Sequence, residues 1–177
     1  MRIQTIAILA LASALIGCLH PSQGRGLKVF AEPGPHPWTR LDLADKPDRL
    51  QFAIVADRAG MYRGGIFADA VAKLNKLQPQ FVLCVGDLVE GDGVSPEQMQ
   101  KRDAELDAEL APLQRPFFFV PGNHDLCFDH RSALYDDYKA RHGQTYYHFL
   151  FQDCLFLCLD SEYPLQGHIT DEQVAYV

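Results

Sequence analysis

The chain has 177 residues, of which 47% are hydrophobic, enough for one folded core and too few for two ordinary domains. With 16 Lys and Arg against 23 Asp and Glu, its formal net charge is −7. That acidity argues against a nucleic-acid partner, which would require a basic face, and no nucleic-acid-binding surface is evident in the sequence.

Residues 1–17 are predicted to form a signal peptide. A positive Arg2 precedes an apolar run from residue 6 to 16, which is typical of export signals and too short to span a bilayer. The run ends in Leu-Ile-Gly-Cys, which resembles the bacterial lipobox, where cleavage leaves a lipid-modified cysteine, here Cys18. The resemblance implies a cell-envelope protein, lipid-anchored to a bacterial membrane and facing the periplasm or the exterior. The alternative is an ordinary secretory signal with an incidental cysteine.

The stretch after the signal is predicted to be a tether. Residues 18–48 are rich in Gly and Pro, a composition that favours an irregular linker. The folded domain is therefore expected to occupy residues 49–177.

Within that domain, apolar strands alternate with helices. The predicted strands are residues 51–56, 81–85 and 117–120, followed by a hairpin of 146–151 and 154–159; the predicted helices are 66–77, 96–110, 132–141 and one that opens at 170. Strand–helix–strand units are nearly always right-handed crossovers between parallel strands. The carboxyl ends of the first three strands are therefore expected to meet at one edge of a parallel sheet, where α/β proteins form their sites.

Each of those three strands ends in polar residues. Asp57 follows the first strand, Asp87 the second, and the block Gly-Asn-His-Asp at residues 122–125 the third. In that block Asn123 offers a neutral oxygen ligand, His124 a proton carrier, and Asp125 a carboxylate able to orient the histidine. The pattern indicates a site with acid–base and metal-binding chemistry.

In this order and spacing, Asp57, Gly86-Asp87 and the Gly-Asn-His-Asp block resemble the calcineurin-like metallophosphoesterases, over roughly residues 50–177. The resemblance implies an α/β fold, with a two-layered β core flanked by helices, and two divalent metal ions as cofactors, of the kind Mn, Fe, Zn or Mg. Hard oxygen ligands suit such ions.

The resemblance also implies a role for each residue. Asp57 would bind the first metal, Asp87 would bridge both, and Asn123 would bind the second. His124 would stand beside the leaving group as the catalytic acid, with Asp125 orienting it.

Two departures from the family pattern accompany these matches. The family usually has Asp-x-His at the first motif, whereas this chain has Ala59 in the histidine position. Purple acid phosphatases, which also lack that histidine, use a tyrosine three residues after the bridging aspartate, and Glu90 holds that position here. Glu90 is either a replacement metal ligand or a loop carboxylate.

The family's last histidine motifs do not occur up to residue 177, so we expect the chain to correspond to the N-terminal part of such a domain and to be inactive alone.

These observations predict a metal-dependent hydrolase of phosphate esters, either monoesters or diesters, in the cell envelope. Its expected partners are a phosphate-ester substrate and, through Cys18, a membrane. Two other hypotheses stay open: a non-catalytic envelope lipoprotein that keeps the fold with a degraded metal site, and a binding module that retains one metal without turnover. Arg58 and Arg63 flank the first motif and are either phosphate ligands or solvated surface residues.

Overall fold

The computed structural model describes residues 26–30, 32–44, 46, 48–91, 93–126, 131–164 and 166–177. The predicted signal peptide and Cys18 lie outside these residues. None of the helices in the described ranges is both long enough and apolar enough to cross a bilayer.

In the described ranges, six strands form two three-stranded sheets. They are β1 (Lys28–Phe30), β2 (Ala53–Val55), β3 (Val82–Cys84), β4 (Phe117–Phe118), β5 (Tyr147–Phe151) and β6 (Cys154–Cys158). One sheet has the order β2-β3-β4 with both pairings parallel, as the strand–helix alternation predicts. The other has the order β1-β5-β6 and is antiparallel, and its β5-β6 pair is the predicted hairpin.

Five helices complete the described structure: α1 (Ile66–Leu77), α2 (Pro96–Leu110), α3 (Asn123–Leu126), α4 (Arg131–His142) and α5 (Asp171–Tyr176). The predicted start of α2 is confirmed, because Ser95 accepts from the Gln98 backbone N–H while the Gln98 side chain accepts from the Ser95 N–H. This reciprocal pair satisfies two of the backbone donors that a helix start leaves unpaired. The short helix α3 was not predicted.

Among the residues that the structure describes, the buried side chains form two clusters, one on each face of the parallel sheet. Aromatic residues fill the space between the two sheets. The ring centroid of Phe81, which directly precedes β3, lies 5.5 Å from that of Phe149 in β5. On the opposite face, Val82 and Phe117 pack with α1 and α2 through residues such as Val71 and Leu106. The expected two-layered β core flanked by helices is confirmed.

The expected tether is not what the structure shows for its described part. β1 pairs with β5, and Trp38 makes an isolated antiparallel bridge to Phe118. The Trp38 ring lies 6.2 Å from that of Tyr147 and packs against the cluster between the sheets. The Gly- and Pro-rich composition favoured a linker. The pairing of β1 with β5 and the packing of Trp38 nevertheless attach this segment to the core. The ordered fold therefore begins before residue 49.

Candidate metal centre

The three parallel strands bring Asp57, Asp87 and Asn123 to one edge of the sheet. The loops after β2 and β3 are joined by two backbone hydrogen bonds: the Asp57 N–H donates to the Gly86 carbonyl at 3.3 Å, and the Ala59 N–H to the Asp87 carbonyl at 2.8 Å. Asn123 is the first residue of α3, in the segment that follows β4. The convergence expected from the strand order is thus present in the fold.

Both aspartates lie in a strained backbone conformation. Asp57 has φ 58° and Asp87 φ 61°, in the left-handed region that residues other than glycine rarely adopt. Such strain costs about 1–3 kcal/mol for each residue, persists only where the surroundings hold it, and clusters at functional sites. The two carboxylates are therefore held at this edge by the rest of the fold.

Glycines in two of the motifs allow the loops to approach each other closely. A Cβ at Gly86 would lie 2.6 Å from the Gly122 Cα, and one at Gly122 would lie 2.2 Å from the Asp87 Oδ1. Both distances are too short for any side chain. The absence of these two Cβ atoms leaves a cradle that the Asp87 carboxylate occupies. This explains why a glycine precedes Asp87 and another precedes Asn123.

Asp125 holds the loops together rather than orienting the histidine. Its buried carboxylate accepts four backbone N–H groups, at 2.8 to 2.9 Å, from Asp87, Leu88, Val89 and Gly122. Burial raises the pKa of Asp125 to about 6, against the effect of these donors, which stabilise the ionised form. The expectation that Asp125 orients His124 is wrong in this geometry, because both of its oxygens point at the backbone.

The partner of His124 is instead Glu90. The histidine Nδ1 lies 2.8 Å from Glu90 Oε1, and Glu90 Oε2 accepts the Gly60 N–H at 3.2 Å. The hydrogen bond with Glu90 raises the pKa of His124, while partial burial opposes the rise and the nearby carboxylates assist it. A carboxylate paired with one ring nitrogen fixes the orientation of an imidazole and favours its protonated form. The role of Glu90 as a metal ligand stays a prediction.

Sequence reasoning missed this pair because the two residues are 34 positions apart. The one signal in the sequence was the position of Glu90, three residues after Asp87. In the structure this loop also contacts the histidine segment, because the Gly91 N–H donates to the His124 carbonyl at 2.8 Å. The same loop therefore carries Asp87, a candidate metal ligand, and Glu90, the partner of the histidine.

Arg58 is not a solvated surface residue in this structure. Its side chain is 5% exposed, and its Nε donates to Glu109 of α2 at 2.7 Å. The guanidinium thus faces the protein interior, although Asp57 beside it faces the edge of the sheet.

The donors at this edge fit a divalent cation in kind. Two carboxylates and one amide oxygen are hard ligands, and the cradle around Asp87 is shaped for a carboxylate rather than a bulky side chain. Three such ligands do not complete the coordination shell of a divalent cation. Among the described residues, no three or more His, Cys, Asp or Glu side chains form a group that could hold a metal ion.

Comparison with known proteins agrees with this geometry. A family model described as calcineurin-like phosphoesterase matches residues 13–173. The chain is 35% identical to the serine/threonine-protein phosphatase CPPED1 of Mus musculus over 158 residues, which is 81% of this chain and 50% of that protein. It is 28% identical to CPPED1 of Rattus norvegicus over 189 residues, covering 93% of this chain and 60% of that protein.

The chain thus spans between 50% and 60% of the length of these two relatives. No solved structure matches it at a significant level. The family model covers most of the chain, including the three strand ends and the Gly-Asn-His-Asp block. The chain therefore belongs to the calcineurin-like phosphoesterase family, whose members generally use divalent metal ions.

Proposed function

We propose that this protein hydrolyses phosphate esters at a centre of two divalent metal ions. The observation that carries the proposal is the convergence of Asp57, Asp87 and Asn123 at one edge of the sheet, with His124 on the same loop system. Membership of the phosphoesterase family supports the reaction class. The names of the relatives favour phosphoserine and phosphothreonine as substrates to test first.

In this proposal the chain's own residues have separate tasks. Asp57 and Asp87 would hold one ion, and Asp87 and Asn123 would hold the other. When bound, the ions would supply electrophilic stabilisation of the phosphoryl oxygens and an acidified water. Glu90 keeps His124 protonated and oriented, and His124 donates its proton to the departing oxygen.

The test uses leaving groups of different basicity. In a version of the protein that also carries the family's C-terminal histidine motifs, we expect His124→Ala to lower turnover by about 10²–10⁴-fold on alkyl phosphates or a phosphoserine peptide, because their leaving oxygen requires a proton. The loss should be much smaller for nitrophenyl phosphate, whose leaving group is stable as an anion. Equal losses on both substrates would show that His124 acts through metal binding or folding and would overturn its role as the acid.

A non-catalytic protein with a degraded site is the second candidate, and one observation favours it. Ala59 stands where the family usually has an imidazole, is 6% exposed, and has no side-chain atom that can bind a metal; its backbone N–H donates to the Asp87 carbonyl. The metal content of the version that also carries the family's C-terminal histidine motifs separates the candidates. About two equivalents support the enzyme, about one supports a binding module without turnover, and none supports the degraded site.

The envelope location is proposed on the sequence of residues 15–18 alone. Lipidation of Cys18 would anchor the protein stably only if more than one acyl chain is attached. Mass spectrometry of the mature N-terminus tests this directly. Cleavage at another position, or an unmodified Cys18, would contradict the lipoprotein assignment without affecting the proposed chemistry.

A further inference from the structure

The loop that carries Asp57 requires support from outside itself. Asp57 and Met61 both have positive φ angles, of 58° and 75°, and neither is a glycine. The loop also contains Gly60, Gly64 and Gly65, which lose more conformational entropy on ordering than other residues. The position of the Asp57 carboxylate therefore depends on the contacts that hold this loop.

Those contacts converge on the buried guanidinium of Arg58. Its Nε donates to Glu109 Oε2 at 2.7 Å, and its Nη1 donates to the Leu88 carbonyl at 2.9 Å. Arg58 directly follows Asp57, and Leu88 directly follows Asp87. One planar group therefore joins the two chain segments that carry the candidate metal ligands.

Glu109 connects this guanidinium to a helix that is anchored in the core. It lies on α2, whose neighbouring residues Leu106 and Leu110 are 1% and 8% exposed. Its second oxygen, Oε1, accepts the Tyr62 hydroxyl at 2.7 Å, and the Tyr62 ring lies 4.7 Å from the Arg58 guanidinium carbon. Glu109 thus holds the Asp57 loop at two points.

We propose that Arg58, Glu109 and Tyr62 form a clamp that sets the separation of the Asp57 and Asp87 carboxylates and thereby the affinity for the metal they share. Glu109 is a positioning residue in this clamp, since it acts through Arg58. The inference rests on the proposed function, because it concerns the same metal centre. Residues that orient metal ligands typically change affinity 10- to 100-fold when mutated.

The first test needs no metal. Glu109→Gln keeps the size of the side chain and removes its charge, so it weakens the pair with Arg58. We expect amide hydrogen exchange at Ala59, whose N–H donates to Asp87, to accelerate relative to the core amide of Val82. Unchanged exchange at Ala59 would overturn the clamp.

A matched control comes from the same helix. Asp103 of α2 is 22% exposed against 15% for Glu109, and it pairs with Arg141 of α4 at 3.4 Å, away from the Asp57 loop. Asp103→Asn should leave exchange at Ala59 unchanged relative to Val82. Equal acceleration in both variants would show a general loosening of α2 and would also overturn the clamp.

The second test measures Mn²⁺ affinity by calorimetry. Glu109→Gln should weaken one Mn²⁺ equivalent by about 10-fold or more, and Asp103→Asn should leave it unchanged. Tyr62→Phe retains the Arg58–Glu109 pair and should therefore weaken Mn²⁺ binding less than Glu109→Gln does. A larger loss of affinity in Tyr62→Phe would contradict the role of Glu109 as the residue that holds the loop.

The two tests distinguish the ways in which the inference can fail. Faster exchange at Ala59 with unchanged Mn²⁺ affinity would overturn the positioning role while leaving the metal centre intact. If the unmodified protein binds no Mn²⁺, the proposed metal function fails and the positioning role fails with it, whereas the exchange result still decides whether the clamp itself exists.

Discussion

Gly122 shows how a single missing side chain defines the site. An added Cβ would lie 2.2 Å from Asp87 Oδ1, and the backbone at Gly122 does not have a positive φ, so the constraint is steric alone. We expect Gly122→Ala to lower the free energy of unfolding by about 1–3 kcal/mol and to displace the Asp87 carboxylate. Urea denaturation measures the first effect and Mn²⁺ titration the second. Gly64→Ala is the control, since nothing lies within 4 Å of its added Cβ; a loss as large there would contradict the steric explanation.

His142 is a second residue whose environment dictates a measurable property. It is buried against the rings of Phe119 and Tyr138, at centroid distances of 4.3 and 4.7 Å, and its Nε2 accepts from Arg141 Nε at 3.1 Å. Burial, assisted by the Arg141 charge, lowers the pKa of His142 to about 3. The folded protein therefore keeps this imidazole neutral under conditions in which the unfolded chain protonates it.

The pH dependence follows from that difference. The folded pKa lies below the unfolded value of about 6.5, so the stability that neutral His142 provides is complete above about pH 6.5 and is lost as the pH falls towards 3. Between about pH 7.5 and about pH 4.5 we expect this group to remove about 2–3 kcal/mol of unfolding free energy. His142→Phe keeps the ring packing and should reduce the loss by that amount. An identical pH profile in the variant would show that other groups account for the acid sensitivity.

At the scale of elements, the start of α2 offers a test of a local sequence rule. Ser95 accepts from the Gln98 N–H at 3.3 Å, and the Gln98 side chain accepts from the Ser95 N–H at 2.8 Å. Because Ser95→Ala removes one half of this pair, it should destabilise the fold by about 1 kcal/mol in denaturant unfolding. Ser95→Asp should retain most of the stability, as aspartate caps equally well. If Ser95→Ala left the stability unchanged, water would be replacing the hydrogen bond that the serine accepts.

The elements that the sequence predicted correctly arise from local patterns, whereas those it missed depend on contacts between distant residues. The alternation of apolar strands with capped helices is a local signal, and it correctly indicated the parallel sheet and the edge at which Asp57, Asp87 and Asn123 meet. β1 has no such signal, because Lys28–Phe30 becomes a strand only by pairing with β5, about 120 residues away. The Glu90–His124 and Arg58–Glu109 contacts likewise join residues 34 and 51 positions apart. The family resemblance supplied the candidate ligands, whereas the residues that contact and support them could be identified only from the fold.

At the scale of the whole molecule, the contacts of the segment before residue 49 show that the folded domain includes it. Thr39 donates its N–H to the Phe117 carbonyl, and Phe119 donates to that of Pro37, so this segment lies against the strand that leads to the Gly-Asn-His-Asp block. The Trp38 ring fills the space beside Phe118 and Tyr147. The candidate site and the N-terminal segment are therefore coupled through one strand.

Trp38 consequently tests whether this segment is part of the fold or a tether. Trp38→Ala should lower the free energy of unfolding by about 2–4 kcal/mol, because it leaves a cavity against the aromatic cluster between the sheets. Trp38→Phe, which refills most of that space, should recover at least half of the loss. Denaturant unfolding of the two variants measures both effects, and the slope with denaturant reports whether the segment unfolds together with the rest. A loss below about 0.5 kcal/mol for Trp38→Ala is what a surface tether would give, and it would return residues 26–44 to the role of a linker.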